Sequence, residues 1–372
     1  MQVAVVLGAV LTVVALLGLL GRTPADKTRT SQIVVYALPL GLLAGGYAAS
    51  IGMNLMWAVI VAVSILLGVL AGGWLGRQPA LDDVASHPAA AGLSLVCSGL
   101  ISVGLAAVAI MWAGSVIAAF SYLNHVVVAI VLALAAVAYA AGRGAAVGLS
   151  RTVLVLLVVG AVGLVAAGYL AGDFKGLGSP YVSFPPVPLE RGILYAIGIV
   201  LIGAGYPVLR GLGSEERGRT VKAAITLAVI VLVSLVGMLA IYGGAFNLPS
   251  LVINIFPVYT PPLLSAVISG LVAVVGVVAG GAAIRAAGSC VAPAHPKWCD
   301  GGEFRPTPGL LVALVIGVVA IVVSVLAPTP TVTVTLLAIL AVVNLIAERM
   351  ISRGRQPSRA APEAEQAARR TA

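Results

Sequence analysis

Apolar residues in this chain come in long unbroken runs, not in strand-like alternation or as one face of a helix. Eleven such runs lie at roughly 2–21, 31–51, 55–76, 90–120, 124–142, 152–172, 191–209, 221–245, 262–286, 309–327 and 331–347. About 20 apolar residues cross the hydrocarbon core of a bilayer as an α-helix. The pattern therefore predicts an all-α integral membrane protein with about 11 transmembrane helices, here a leading helix followed by helices one to ten. The leading run has no basic start and no small-residue cleavage motif before Arg22, so it reads as a helix and not as a signal peptide.

Charge placement tests this count. The loops 22–30, 77–89, 143–151, 210–222 and 285–308, with the tail after 347, hold 19 of the 21 Lys and Arg; the opposite side holds only Lys175 and Arg191. Basic loops mark the cytoplasmic side. The expected orientation is multi-pass in the cell (cytoplasmic) membrane, with the N-terminus outside and the C-terminus in the cytoplasm. Three segments follow: 1–30, a leading helix and its link; 31–347, a ten-helix core; and 348–372, a basic, Pro- and Ala-rich tail expected to be disordered.

Composition narrows the function. The chain is 61% hydrophobic and 9% charged, where soluble domains carry about 25% charged residues. That excludes a soluble globule, a disordered chain and a disulfide-stapled secreted fold. The formal net charge of +9 is accounted for by the orientation signal and implies no nucleic-acid partner. With 12 acids, three His and three Cys, little catalytic chemistry is on offer, so no enzyme, cofactor or metal is expected. The expected partners are membrane lipids and a small-molecule solute, with other membrane subunits or a second copy of the chain left open.

An internal repeat supplies the strongest functional signal. Tyr36-Ala37 through Gly46-Tyr47 in helix one matches Tyr195-Ala196 through Gly205-Tyr206 in helix six at a constant offset of 159. The two stretches start on opposite sides, so helices one to five and six to ten form a 5+5 inverted repeat. That is a transporter plan, with solute bound near the midplane where paired helices are interrupted. Glycine runs let a helix unwind, and unwound backbone at membrane depth survives only around a cavity or inside protein. The plainer reading is that small residues serve close helix packing.

The chain resembles the amino acid–polyamine–organocation transporters, which share the leucine-transporter fold, over about residues 31–347. The resemblance rests on Gly203-Ala204-Gly205-Tyr206 followed by the acidic–basic loop Gly213 to Thr220, and on Ile284-Arg285-Ala286-Ala287-Gly288 through His295-Pro296. It implies alternating access to a site at the first and sixth helices. The chain departs from the family in having ten core helices instead of about twelve. It has no hydroxyl in the inner half of helix eight, where sodium-coupled relatives place one: Gly276 to Gly281 is apolar. Helix five also has no lysine, which some proton-coupled relatives carry there.

The remaining candidates are few. No charge sits mid-span; Asp173, Glu190, Arg210 and Arg285 lie at helix ends, where long side chains reach water. Ser94, Ser98 and Ser102 recur every four residues and share one face of helix three. Their plain alternative is a bond to the carbonyl four residues back. Cys290, His295, Cys299 and Asp300 match no strong zinc spacing and read as solvated loop residues. Cys97 reads as a packing residue, His125 as an interfacial histidine, and Glu215-Glu216 with Arg210, Arg217 and Arg219 as a surface ion-pair patch. The expected solute-binding residues are Ala44, Gly45, Gly46, Tyr47, Gly203, Gly205, Tyr206 and Ser98. The expected function is secondary transport of an amino acid or amine; the alternative is a non-transporting helical subunit of a membrane complex.

Overall fold

Each long apolar run after residue 30 forms a helix. In the computed structural model the described residues are 8, 10, 13, 30–50, 55–75, 87–121, 123–141, 145–172, 189–210, 217–242, 262–292, 299–300, 303–304, 306–326 and 330–354. The helices are α1 (Thr30–Ser50), α2 (Leu55–Leu75), α3 (Pro88–Ser121), α4 (His125–Ala141), α5 (Ala145–Gly172), α6 (Leu189–Gly205), α7 (Pro207–Arg210), α8 (Arg217–Tyr242), α9 (Pro262–Val291), α10 (Pro306–Leu326) and α11 (Pro330–Gly354). Helices one to five are thus α1–α5, helix six is α6 with the short α7, and helices seven to ten are α8–α11. Of the leading helix, residues 8, 10 and 13 are helical, and Val10 packs against the core. Among the described residues, six helices are long and apolar enough to cross a membrane by length and composition, and four more are shorter apolar helices.

Local chemistry sets the helix starts. α3, α7, α9, α10 and α11 open on Pro, whose fixed φ and missing N–H suit a first helical position. α4 is capped by Asn124, whose side-chain oxygen accepts from Val126 N at 2.9 Å. Between α9 and α10 lies a small antiparallel hairpin absent from the sequence-based expectation. It pairs Cys299 with Phe304 and Asp300 with Glu303.

The 5+5 inverted repeat is visible in which helices pack together. α2 lies on α8, α3 on α9 and α4 on α10; α1 on α8 mirrors α6 on α2; α4 on α9 mirrors α10 on α3; and α5 on α1 mirrors α11 on α6. α3 and α9 form the centre and are mostly buried, whereas α5 is mostly exposed. The valine face of α5 (Val155, Val158, Val159 and Val162) points outward, as suits a helix against lipid.

Small residues bring these helices close, since lipid supplies no hydrophobic drive between them. On the α2–α6 seam, a Cβ added to Gly203 would lie 2.5 Å from the Gly68 carbonyl, and one on Gly72 would lie 2.5 Å from Gly203 O. At the α3–α9 seam, Gly276 faces Ala113 and Gly280 faces Ile110.

Three expectations are corrected. Cys290, read from the sequence as a solvated loop residue, lies buried within α9. Helix one is continuous through Ala44-Gly45-Gly46; its Gly41 and Gly45 face Leu227 and Val231 of α8, so there they serve packing. The last helix runs to Gly354 instead of ending at 347, because Ile351 is buried and Glu348 is hydrogen-bonded to Ser94. The tail beyond 354 lies outside the described residues.

The seams make a stability prediction. Gly203→Ala should lower the thermal midpoint of the detergent-solubilised protein by an amount matching about 1–3 kcal/mol of overpacking. Gly163→Ala on α5, where a Cβ meets nothing within 4 Å, should leave it unchanged or raise it.

Candidate functional site

The helix-six break follows from three residues. Pro207 has no N–H to give the Gly203 carbonyl, and its ring disfavours helical geometry at the residue before it. That residue, Tyr206, is the non-helical link between α6 and α7, and its N–H donates to Gly203 O at 3.3 Å. Gly205 ends α6. The matching position to Pro207 in the repeat is Ala48, which keeps its N–H; Pro39 within α1 is accommodated without a break, so Pro207 breaks helix six together with the Gly205 that precedes its Tyr206.

A helix end leaves its last carbonyls without intrahelical partners, and in lipid such groups need a partner within the protein. Asn344 on α11 provides one. Its Nδ2 donates to Gly205 O at 3.2 Å and to Ser98 Oγ on α3 at 2.7 Å. Its Oδ1 accepts from Ser94 Oγ at 2.7 Å. Ser94 Oγ also reaches Glu348 Oε1 at 3.3 Å. Asn344, Ser94 and Ser98 are all buried, so three helices meet at one polar cluster around the break. Ser102 instead takes the plain role, donating to Ser98 O at 2.9 Å.

A second tie joins the repeats. Tyr195 Oη on α6 donates to Leu43 O on α1 at 2.9 Å, one residue before the glycine cluster of helix one. Tyr195 lies eight residues before Gly203, about 12 Å along the helix at 1.5 Å per residue. The two glycine clusters therefore sit at different depths and do not meet at one point.

The expected solute-binding residues divide accordingly. Gly203, Gly205, Tyr206 and Ser98 come together at the break. Ala44 is buried and Gly45 lies against α8. Gly46 and Tyr47 lie in helical backbone, and their side-chain surroundings fall outside the described residues. Tyr206 is wholly buried and its hydroxyl has no hydrogen-bond partner among the described residues; Ser269 Oγ on α9 shares that state. An unpartnered buried hydroxyl at a helix break is the arrangement a solute group or a water would complete.

Sequence reading missed Asn344, Tyr195 and Pro207. Pro207 was legible, because Pro after Gly-Ala-Gly-Tyr marks a helix stop. Asn344 carries no local signal beyond being polar in an apolar run. Among the described residues no group of three His, Cys, Asp or Glu converges as a metal site. The acid pairs Asp82-Asp83 and Glu215-Glu216, and His295, lie outside the described residues.

No protein-family model matches the chain, and no curated protein matches it in sequence. In three dimensions it is similar to a solved structure of a Na+-coupled sialic acid symporter in a substrate-bound, outward-open state, with TM-score 0.66, 12% identity, and coverage of 94% of this chain and 86% of that one. The chain thus has the leucine-transporter-like helical fold of a multi-pass membrane protein.

The two tyrosines should respond oppositely to loss of their hydroxyls. Tyr206→Phe removes a buried, unpartnered group whose burial costs about 1–3 kcal/mol, so the solute-free protein should keep or raise its thermal midpoint. Tyr195→Phe orphans no donor but loses the Leu43 bond, and should lower the midpoint modestly, consistent with about 0.6 kcal/mol for a typical interhelical membrane bond.

Proposed function

We propose that this chain is a secondary transporter of a small organic solute, an amino acid or amine, working by alternating access. The observation that carries the reading is the buried break in helix six, with the unpartnered Tyr206 hydroxyl beside it. The inverted repeat supports it, since rocking of one bundle against the other about a fixed site is the motion such repeats permit. The solute-contacting set is Gly203, Gly205, Tyr206 and Ser98 at the break; Ala44, Gly45, Gly46 and Tyr47, in the unbroken helix one at another depth, are left out of it. The basic loops support a cytoplasmic-membrane location with the C-terminus inside. Among fold relatives, the amino acid–polyamine–organocation branch is the one whose sixth-helix glycines this chain resembles.

The similar solved protein is Na+-coupled by its name. Against sodium coupling through helix eight stands the inner half of α9, which has no hydroxyl from Gly276 to Gly288. Ser289, just beyond, donates to Ala286 O at 2.7 Å. Uniport or another coupling ion therefore fits this chain better.

A thermal-shift screen of the purified protein against amino acids, amines and sialic acid, with and without Na+, tests the reading. A binder of the folded state at 100 times its Kd stabilises by about 2.7 kcal/mol. We expect at least one amino acid or amine to raise the midpoint in the parent and not in Tyr206→Phe, with no requirement for Na+, and to enter proteoliposomes. No shift with any solute, together with a second membrane protein co-purifying in fixed ratio, would replace this reading with that of a complex subunit.

A further inference from the structure

We propose that Asn344 is a positioning residue that bolts helix six to the α3 frame in the conformation described, and that its two donated bonds must exchange for α6 to move. This deepens the transporter reading and rests on it. The argument starts from how the bodies touch. α3 packs on α9, α4, α10 and α11, while α6 packs on α2 and α11; α3 and α6 barely touch each other directly. Besides Ile101 of α3, whose Cδ1 lies against Gly205 of α6, the link between them, and the polar one, runs through the Asn344 amide. One N–H goes to Ser98 Oγ on α3 and the other to Gly205 O on α6. A neutral amide has only two side-chain hydrogens, so both are committed, one to each body.

The geometry makes this bolt specific to one relative placement. Gly205 is the residue that lets α11 approach: a Cβ there would lie 2.8 Å from Ala341 Cβ and 3.1 Å from Ala341 Cα. Ala341 is three residues before Asn344 and so lies on the same helix face. Asn344 thus reaches the carbonyl only while α6 stays seated on α11. When α6 tilts away from α3 in alternating access, one of the two bonds is lost, and water or solute must supply the replacement.

Native cysteines report on that motion. Cys97, adjacent to Ser98, and Cys290, whose Cβ lies 3.8 Å from the position of a Cβ on Gly99, are both buried at this end of α3 and α9. The experiment is the rate of alkylation of these thiols by a polar maleimide in the detergent-purified Cys299→Ser protein, with thermal midpoint measured alongside. Asn344→Asp keeps the shape and the Ser94 bond but leaves no donor when ionised and one when protonated, so the two bodies can no longer both be held; Ser98→Ala loses only the frame side. Ser94→Ala disturbs the same amide without touching either donated bond.

We expect Asn344→Asp and Ser98→Ala to speed alkylation about threefold to fifteenfold, the range that measured interhelical membrane bonds give for a shifted two-state equilibrium. Ser94→Ala should lower the midpoint comparably without speeding alkylation. A rate in Asn344→Asp and Ser98→Ala equal to the parent's, or the same acceleration in Ser94→Ala, would overturn the proposal in favour of a purely structural role. The readout needs no transport, so its failure is separable from the absence of uptake or solute binding, which would sink the transporter reading itself.

Discussion

Within a bilayer every backbone N–H and C=O needs a partner inside the protein, and that requirement governs where this chain can leave helical geometry. Pro207 forces a departure at Tyr206, and the departure strands carbonyls that water would satisfy in a soluble protein. Asn344 takes up Gly205 O, and the Tyr206 N–H turns back to Gly203 O. The cap in turn demands that α11 come close, which the bare Cα of Gly205 against Ala341 allows. Break, cap and close packing are therefore one arrangement, and removing any member exposes the cost of the others.

The same constraint explains the small residues elsewhere. Apolar side chains gain nothing by leaving lipid for one another, so helices associate where backbones can approach and dispersion contacts are dense. The Gly68, Gly72 and Gly203 contact and the Gly276 and Gly280 contacts on α3 do this. They also divide the molecule into a frame built on α3, α4, α9 and α10 and a group built on α2, α6 and α8. Polar bonds then cross where packing is thin, at Asn344 between α3 and α6 and at Tyr195 between α6 and α1.

Much of the architecture was legible because it is written in one-dimensional signals. Run length gives the helices; bounds such as Thr30–Ser50 and Leu55–Leu75 fall within a residue of the apolar runs. The candidate site was legible only in part. Gly203, Gly205, Tyr206 and Ser98 were picked out by the repeat and by the serine spacing. Asn344 was not, because its partner Ser98 is 246 residues away and nothing local distinguishes a bridging Asn from one facing solvent. The continuity of helix one was misjudged because glycine permits unwinding without requiring it; the decision lies with the residue after the tyrosine, Pro207 in one repeat and Ala48 in the other.

That single difference leaves the two halves of the repeat in related but unequal states. In helix six the carbonyl of Gly205 has lost its helical partner and is held by Asn344 instead. In helix one the carbonyl of Leu43 accepts the Tyr195 hydroxyl while the helix continues around it. A carbonyl shared between a helical N–H and a second donor tilts toward the newcomer, and the intrahelical bond lengthens; this is a known origin of helix kinks. Gly45 and Gly46 follow directly, with no β-carbon to resist a change of backbone angle. Helix one thus carries at Leu43 a weaker form of the interaction that helix six shows in full. The donors themselves are not related by the repeat: Tyr195 corresponds to Tyr36, and Asn344 lies on α11, whose counterpart is α5, so the two halves hold their carbonyls by different means.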